Sequence, residues 1–283
     1  MWVGSWGEDN AQRAIGGLSK AGYNRIEMPL LDSWNIDAAM TRDVLQEHGV
    51  AMTGNNFLTE EMDITSEDPK VVAAGEEYPK RGVDMVADIG GDYMCGTMYS
   101  KLGKYDSAPT KQGWLNCAGA IRNVADHAGE KGVDLGLELC NRFETNLLNT
   151  ARQALDIIAE IDRPNVYVHL DTYHMNIEET DMVRPVLESG DRLGYVHICE
   201  SHRGYLGSGN VDFASFFRAL AQIEYAGPIV FESFSSAVLT PELTNALCIW
   251  RDLWSDSADL ASHAKKFIDA HVQAAGTVDS SKL

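Results

Sequence analysis

The chain has 283 residues, 45% of them hydrophobic and 23% charged, with a formal net charge of −19. A surface this acidic repels phosphate backbones and anionic membranes, so a nucleic-acid or membrane partner is disfavoured and a neutral or metal-assisted small substrate is favoured. No apolar run approaches the roughly 20 residues of a membrane helix, and Glu8, Asp9 and Arg13 interrupt the N-terminal segment before a secretory leader could form.

The five cysteines are Cys95, Cys117, Cys140, Cys199 and Cys248, an odd number without a C-x-x-C pair. They read as free thiols in a reducing compartment, and the cytoplasm is the expected location. With no Pro/Ser-rich linker and no long block of like charge, residues 1–283 are expected to form one domain.

In chain order, short apolar runs alternate with longer amphipathic ones. Asp9 to Lys20 has helical spacing, with Ala11, Ala14, Ile15 and Leu18 on one face. Arg25 to Pro29 is a short strand carrying Glu27, Asp37 to Glu47 a helix, and Val50 to Thr53 the next strand. Ser66 and Pro69 open a helix that runs to about Ile89, with a break expected near Gly75 and Pro79. Tyr93 to Tyr99 is a strand, Lys111 to Lys131 a helix ended by Gly132, Val133 to Leu139 a strand and Thr150 to Ile161 a helix.

Val166 to Leu170 is a strand that ends on Asp171 and runs into a loop bearing His174. A helix around Asp181 to Ser189, a strand Leu193 to Ile198, a helix Phe213 to Ile223 and a strand Ile229 to Glu232 follow. Pro241 to Trp254 and Asp259 to Ala274 read as helical, and GYLGSGN at 204–210 reads as a mobile loop over the site. Strands alternating with helices at this spacing predict βαβ units and a parallel (β/α)8 TIM barrel. The glycine-rich phosphate turn of a doubly wound sheet is absent. Seven strands are legible; only Trp2-Val3-Gly4 stands before the first helix, so the first barrel strand is expected to be truncated or missing.

Glu138, Asp171, His197 and Glu232 lie at the ends of four consecutive strands, each about one βα unit from the next. In a barrel such ends converge on the carboxyl-terminal face. An acid at one strand end is commonly a helix cap, and a lone histidine in an apolar strand is commonly a core residue. Recurrence on four strands favours a shared centre. Three carboxylates cannot sit together ionised without a cation, and three carboxylates with one imidazole suit a fairly hard ion such as Mn²⁺, Mg²⁺ or Co²⁺, with Zn²⁺ open but usually found with more His or Cys. By strand alternation His169 faces the barrel interior; no role is assigned to it.

LELCNRFETNLLNT, NVYVHLDTYHMNIEE, GYVHICESHRGYLGSGNVDF and GPIVFESFSS closely resemble the ketose 3-epimerases, the D-tagatose and D-allulose (psicose) 3-epimerase group of the xylose-isomerase-like barrels. The resemblance runs from about Glu27 to Trp254. It implies that Glu138, Asp171, His197 and Glu232 are metal ligands, that Glu138 and Glu232 are also the acid/base pair, and that Glu144, His174 and Arg203 hold the O1 to O3 end of the substrate. On the residues alone, Glu144 could pair with Arg142, His174 could cap the next helix and Arg203 could be a solvated loop residue.

Epimerisation at C3 removes a proton α to the C2 carbonyl and returns it on the other face, so two bases must flank the carbon while a metal stabilises the enediolate. Candidate substrates are D-fructose/D-allulose, D-tagatose/D-sorbose and L-ribulose/L-xylulose, and a homodimer or homotetramer is expected. Two alternatives stay open: an aldose–ketose or hydroxypyruvate-type isomerase using the same site, and a non-catalytic barrel subunit.

Overall fold

The computed structural model describes residues 2–32 and 35–276. Seven strands form one sheet in chain order, every neighbouring pair parallel. They are β1 (Arg25–Pro29), β2 (Ala51–Asn55), β3 (Tyr93–Gly96), β4 (Asp134–Glu138), β5 (Val166–Asp171), β6 (Leu193–Ile198) and β7 (Ile229–Phe231). The helices are α1 (Glu8–Lys20), α2 (Ala38–His48), α3 (Pro69–Ile89), α4 (Lys111–Lys131), α5 (Ala151–Ile161), α6 (Thr172–Glu178), α7 (Arg184–Ser189), α8 (Phe213–Gln222), α9 (Pro241–Ala246) and α10 (Ser257–Gly276). This is a nearly closed (β/α)8-type barrel with one stave weak. Among the described residues no strand precedes α1, as the sequence predicts, and β1 and β7 are the free edges.

Local chemistry sets the helix ends. Asp37, Asp68, Thr110, Thr150, Asp212 and Thr240 each cap a helix with a side-chain oxygen accepting a backbone N–H. Thr150 and Gln153 form a reciprocal capping box. Gly49, Gly90 and Gly132 close α2, α3 and α4 in the left-handed conformation.

The large core lies between the strands and the helices: Met94, Leu135, Leu137, Val168, Leu170, Val196 and Ile198 point outward into it. A separate small cluster fills the barrel itself: Tyr93, Cys95 and Tyr195, joined by Tyr167 and Val230. Barrel interiors are usually packed with branched aliphatic side chains. This one is aromatic and polar below a polar mouth.

Four expectations need correction. α3 is continuous through Pro79; the ring removes the bond to the Gly75 carbonyl, but tertiary packing of Pro79, Gly82, Val83 and Val86 holds the helix together. β3 stops at Gly96, three residues early. Gly96 sits at φ 116°, and a Cβ there would meet Asn56 O at 2.3 Å, so the chain turns away from the sheet. The helix expected over Pro241 to Trp254 ends at Ala246, and 247–256 is irregular. The loop after Asp171 is instead the short helix α6.

Between β1 and β7 lies a cavity of about 690 Å³. Ile26, Met28, Ile229 and Phe231 line its apolar part with Trp2, Trp6 and Leu18, and it opens at the polar mouth of the barrel. Trp6 closes against α2, its indole N–H donating to Thr41 Oγ1 at 2.8 Å. No helix among the described residues is long and apolar enough to cross a membrane. All five cysteines are free; Cys248 is exposed and the others are buried.

Candidate active site

Parallel strands deliver their last side chains to one face, and Glu138, Asp171, His197 and Glu232 meet there. One donor atom from each lies within 4.8 Å of all the others. His197 Nδ1 is central, at 3.1 Å from Glu138 Oε1, 3.5 Å from Asp171 Oδ2 and 3.9 Å from Glu232 Oε1. Glu138, Asp171 and His197 are buried, while Glu232 is partly open to the cavity.

Burial opposes ionisation of Asp171, yet His174, His197 and Arg203 hold its carboxyl well below the usual range. Burial likewise opposes charge on His197, yet the Glu27 and Glu138 carboxylates hold its pKa well above the ordinary value. Three carboxylates thus share an imidazolium and one guanidinium. An oxygen-rich set with one imidazole fits a hard or intermediate divalent cation, which would take the place of the Nδ1 proton.

Asp171 has a second task. Its Oδ1 accepts the N–H groups of Tyr173 and His174 and starts α6, so the acid that joins the cluster also fixes the helix bearing His174. The Asn141 N–H donates to His174 Nδ1 at 3.0 Å, which fixes the ring. Nε2 lies 3.0 Å from Arg203 Nη2 and faces the cavity. Arg203 is buried, ion-paired with Glu232 and 3.8 Å from Asp171 Oδ2, and stacks 4.1 Å over the Tyr173 ring. Glu144 accepts from Asn141 Nδ2 at 2.8 Å. Arg142 pairs with Glu178, so Glu144 is left to line the cavity. All seven residues singled out in the sequence line or floor one mouth.

Three further residues carry the arrangement and drew no role from sequence. Asn141 links His174 to Glu144. Glu27 Oε2 lies 2.7 Å from His197 Nε2. Glu200 is fully buried outside the cluster; its Oε1 accepts from Ser201 N at 2.8 Å and Val211 N at 3.4 Å, and its Oε2 from Gly207 N at 2.9 Å. The loop read as mobile is therefore pinned from within. It is also tied from outside by α10: Tyr205 Oη donates to Asp259 at 2.6 Å and His263 to Leu206 O at 2.9 Å. Gly207, at φ 81°, leaves room for Phe267, which a Cβ would meet at 2.7 Å.

Below the mouth His169 is fully buried, edge-on to His197 at 4.2 Å between ring centroids, with neither nitrogen hydrogen-bonded. Burial, reinforced by the charge on His197, pushes its pKa down to about 4.

The fold and mouth define a xylose isomerase-like TIM barrel, and a model of that family matches residues 17–267. An L-ribulose 3-epimerase of Methylomonas sp. (strain DH-1) is 51% identical over 268 residues, 95% of this chain and 94% of the relative. A ketose 3-epimerase of Arthrobacter globiformis is 46% identical over 279 residues, 99% of this chain and 96% of its own. The crystal structure of a D-allulose 3-epimerase from Methylomonas sp. in complex with D-allulose superposes with a TM-score of 0.93 at 50% identity, covering 95% of this chain and 94% of that one. The chain belongs to the ketose 3-epimerase family, and it is an enzyme of carbohydrate epimerisation.

Proposed function

We propose that the protein interconverts free ketoses at C3 with the help of a divalent cation, Mn²⁺ in the first instance, held by Glu138, Asp171, His197 and Glu232. The observation that carries this reading is the convergence of those four donor groups within 4.8 Å at the mouth of the barrel. When bound, the cation supplies Lewis-acid stabilisation of the negative charge that develops on the ketose oxygens.

Glu138 and Glu232 do the proton chemistry. They project from β4 and from the residue after β7, well separated in the sheet order, so a ketose in the mouth is flanked by a carboxylate on each side. One takes the C3 proton and the other returns a proton to the opposite face, which inverts the centre. Arg203 and His174 hold the O1–O2 end, and Glu144 accepts from a hydroxyl, which fixes the carbon between the two bases.

The charges favour an unphosphorylated sugar. Among the described residues lining the cavity, the arginines are Arg203, already paired with Glu232, and Arg25, which pairs with Asp92. The relatives' substrates, L-ribulose and D-allulose, with D-fructose and D-tagatose, form the panel to assay. Glu138→Gln and Glu232→Gln should each abolish epimerisation; substantial turnover in either variant would refute the two-base assignment.

A further inference from the structure

An imidazole that binds a cation must offer a lone pair on one nitrogen, and the hydrogen bond made by the other decides which. In His197 the two nitrogens face different worlds. Nδ1 points at Glu138, Asp171 and Glu232. Nε2 points away from them, at Glu27 Oε2, 2.7 Å distant. We propose that Glu27 is a positioning residue: it accepts the Nε2–H of His197, fixes the ring, and leaves Nδ1 free to face the cation site.

The carboxylate is itself held for this task. Asn55 Nδ2 donates to Glu27 Oε1 at 2.8 Å, and the Cys95 thiol lies 3.5 Å from Oε2. Its side chain is mostly enclosed, so water competes little for the contact. Glu27 is not a further ligand of the same centre, because the His197 ring stands between its Oε2 and the three acids. A metal-bound histidine commonly gives its second N–H to a carboxylate, and loss of such a partner typically costs about 10–100-fold in metal affinity. β1 and β6 are not neighbours in the sheet, so the contact crosses the barrel beside the open stave and braces it.

This inference rests on the proposed metal dependence, and the test separates the two. Mn²⁺ binding to the metal-free full-length protein is measured by titration calorimetry for wild type and Glu27→Gln. Wild type should bind one ion, and the variant should bind it at least about 10-fold more weakly. Spectra of ¹⁵N-histidine protein loaded with Mg²⁺ should show the His197 proton on Nε2 in wild type and a mixed or inverted tautomer in the variant. A general structural role for Glu27 would not move that signature.

Equal affinity and an unchanged tautomer in Glu27→Gln would overturn the positioning role while leaving the metal reading intact. Failure of wild type to bind Mn²⁺ or Mg²⁺ would overturn both. Should Glu27→Gln not fold, Asn55→Ser decides: it frees Glu27 Oε1 while keeping the acid. A smaller loss of Mn²⁺ affinity in the same direction supports the brace, and no loss contradicts it.

Discussion

Glu200→Gln is the substitution that separates the loop from the cluster beneath it. The wild-type carboxylate is buried and has two oxygens, and both accept backbone N–H groups of the 201–211 segment. A glutamine side chain has nearly the same shape but only one accepting oxygen. Whichever way it turns, at least one of Ser201, Gly207 or Val211 is left facing an NH₂ group. A buried donor without an acceptor costs about 1–3 kcal/mol. The variant should therefore lose about 2 kcal/mol, read as a fall of about 4 °C in Tm for a chain of this size.

The functional effect runs through Arg203. It sits in the same segment at φ 64° and pairs with Glu232. Hydrogen exchange should quicken at the Gly207 and Val211 amides while α4 and β4 keep their protection, and kcat should fall with metal affinity little changed. If those amides exchange at wild-type rates and Tm does not move, the hydrogen bonds drawn from Glu200 do not hold the loop.

Other outcomes follow from the same geometry. Added Mn²⁺ should stabilise the metal-free protein by about 2.7 kcal/mol at 100 times Kd, about 5 °C in Tm; Asp171→Asn should erase most of this shift in thermal melts. His169 is buried neutral, with a folded pKa of about 4 against an ordinary value of 6.5. The unfolded chain thus binds the extra proton first, and this contribution to stability is full above pH 6.5 and lost as pH falls through 4, about 3 kcal/mol in all. Urea unfolding of metal-free protein from pH 7 to 4 should show that slope, and His169→Phe should flatten it. Tyr205→Phe removes the bond to Asp259 on the outside of the loop; it should speed exchange at 204–208 more than it lowers kcat.

Much of this was legible in the sequence because the barrel is locally encoded. Each strand-end group sits one βα unit from the next, so Glu138, Asp171, His197 and Glu232 could be aligned from spacing alone. The period-2 pattern also placed His169 inside. What escaped depends on contacts that no local pattern carries. Glu27 and His197 are 170 residues apart on strands that do not pair. Glu200 follows Cys199 beyond a strand end and looks like one more acid at the mouth, yet it turns into the loop. The missed helix α6 was written in Asp171, read from the sequence as a ligand, whose carboxylate also caps the helix. Pro79 misled because propensity marks it as a breaker, whereas the surrounding packing decides.

The most direct test of the central claim is the position of the label when the Mn²⁺-loaded enzyme turns over L-ribulose, D-fructose, D-allulose or D-tagatose in D₂O. Two-base epimerisation predicts deuterium at C3 of the product, with C1 unlabelled and the C3 configuration inverted. Deuterium at C1 with aldose formed, or no exchange at C3 for any ketose of the panel, would contradict it.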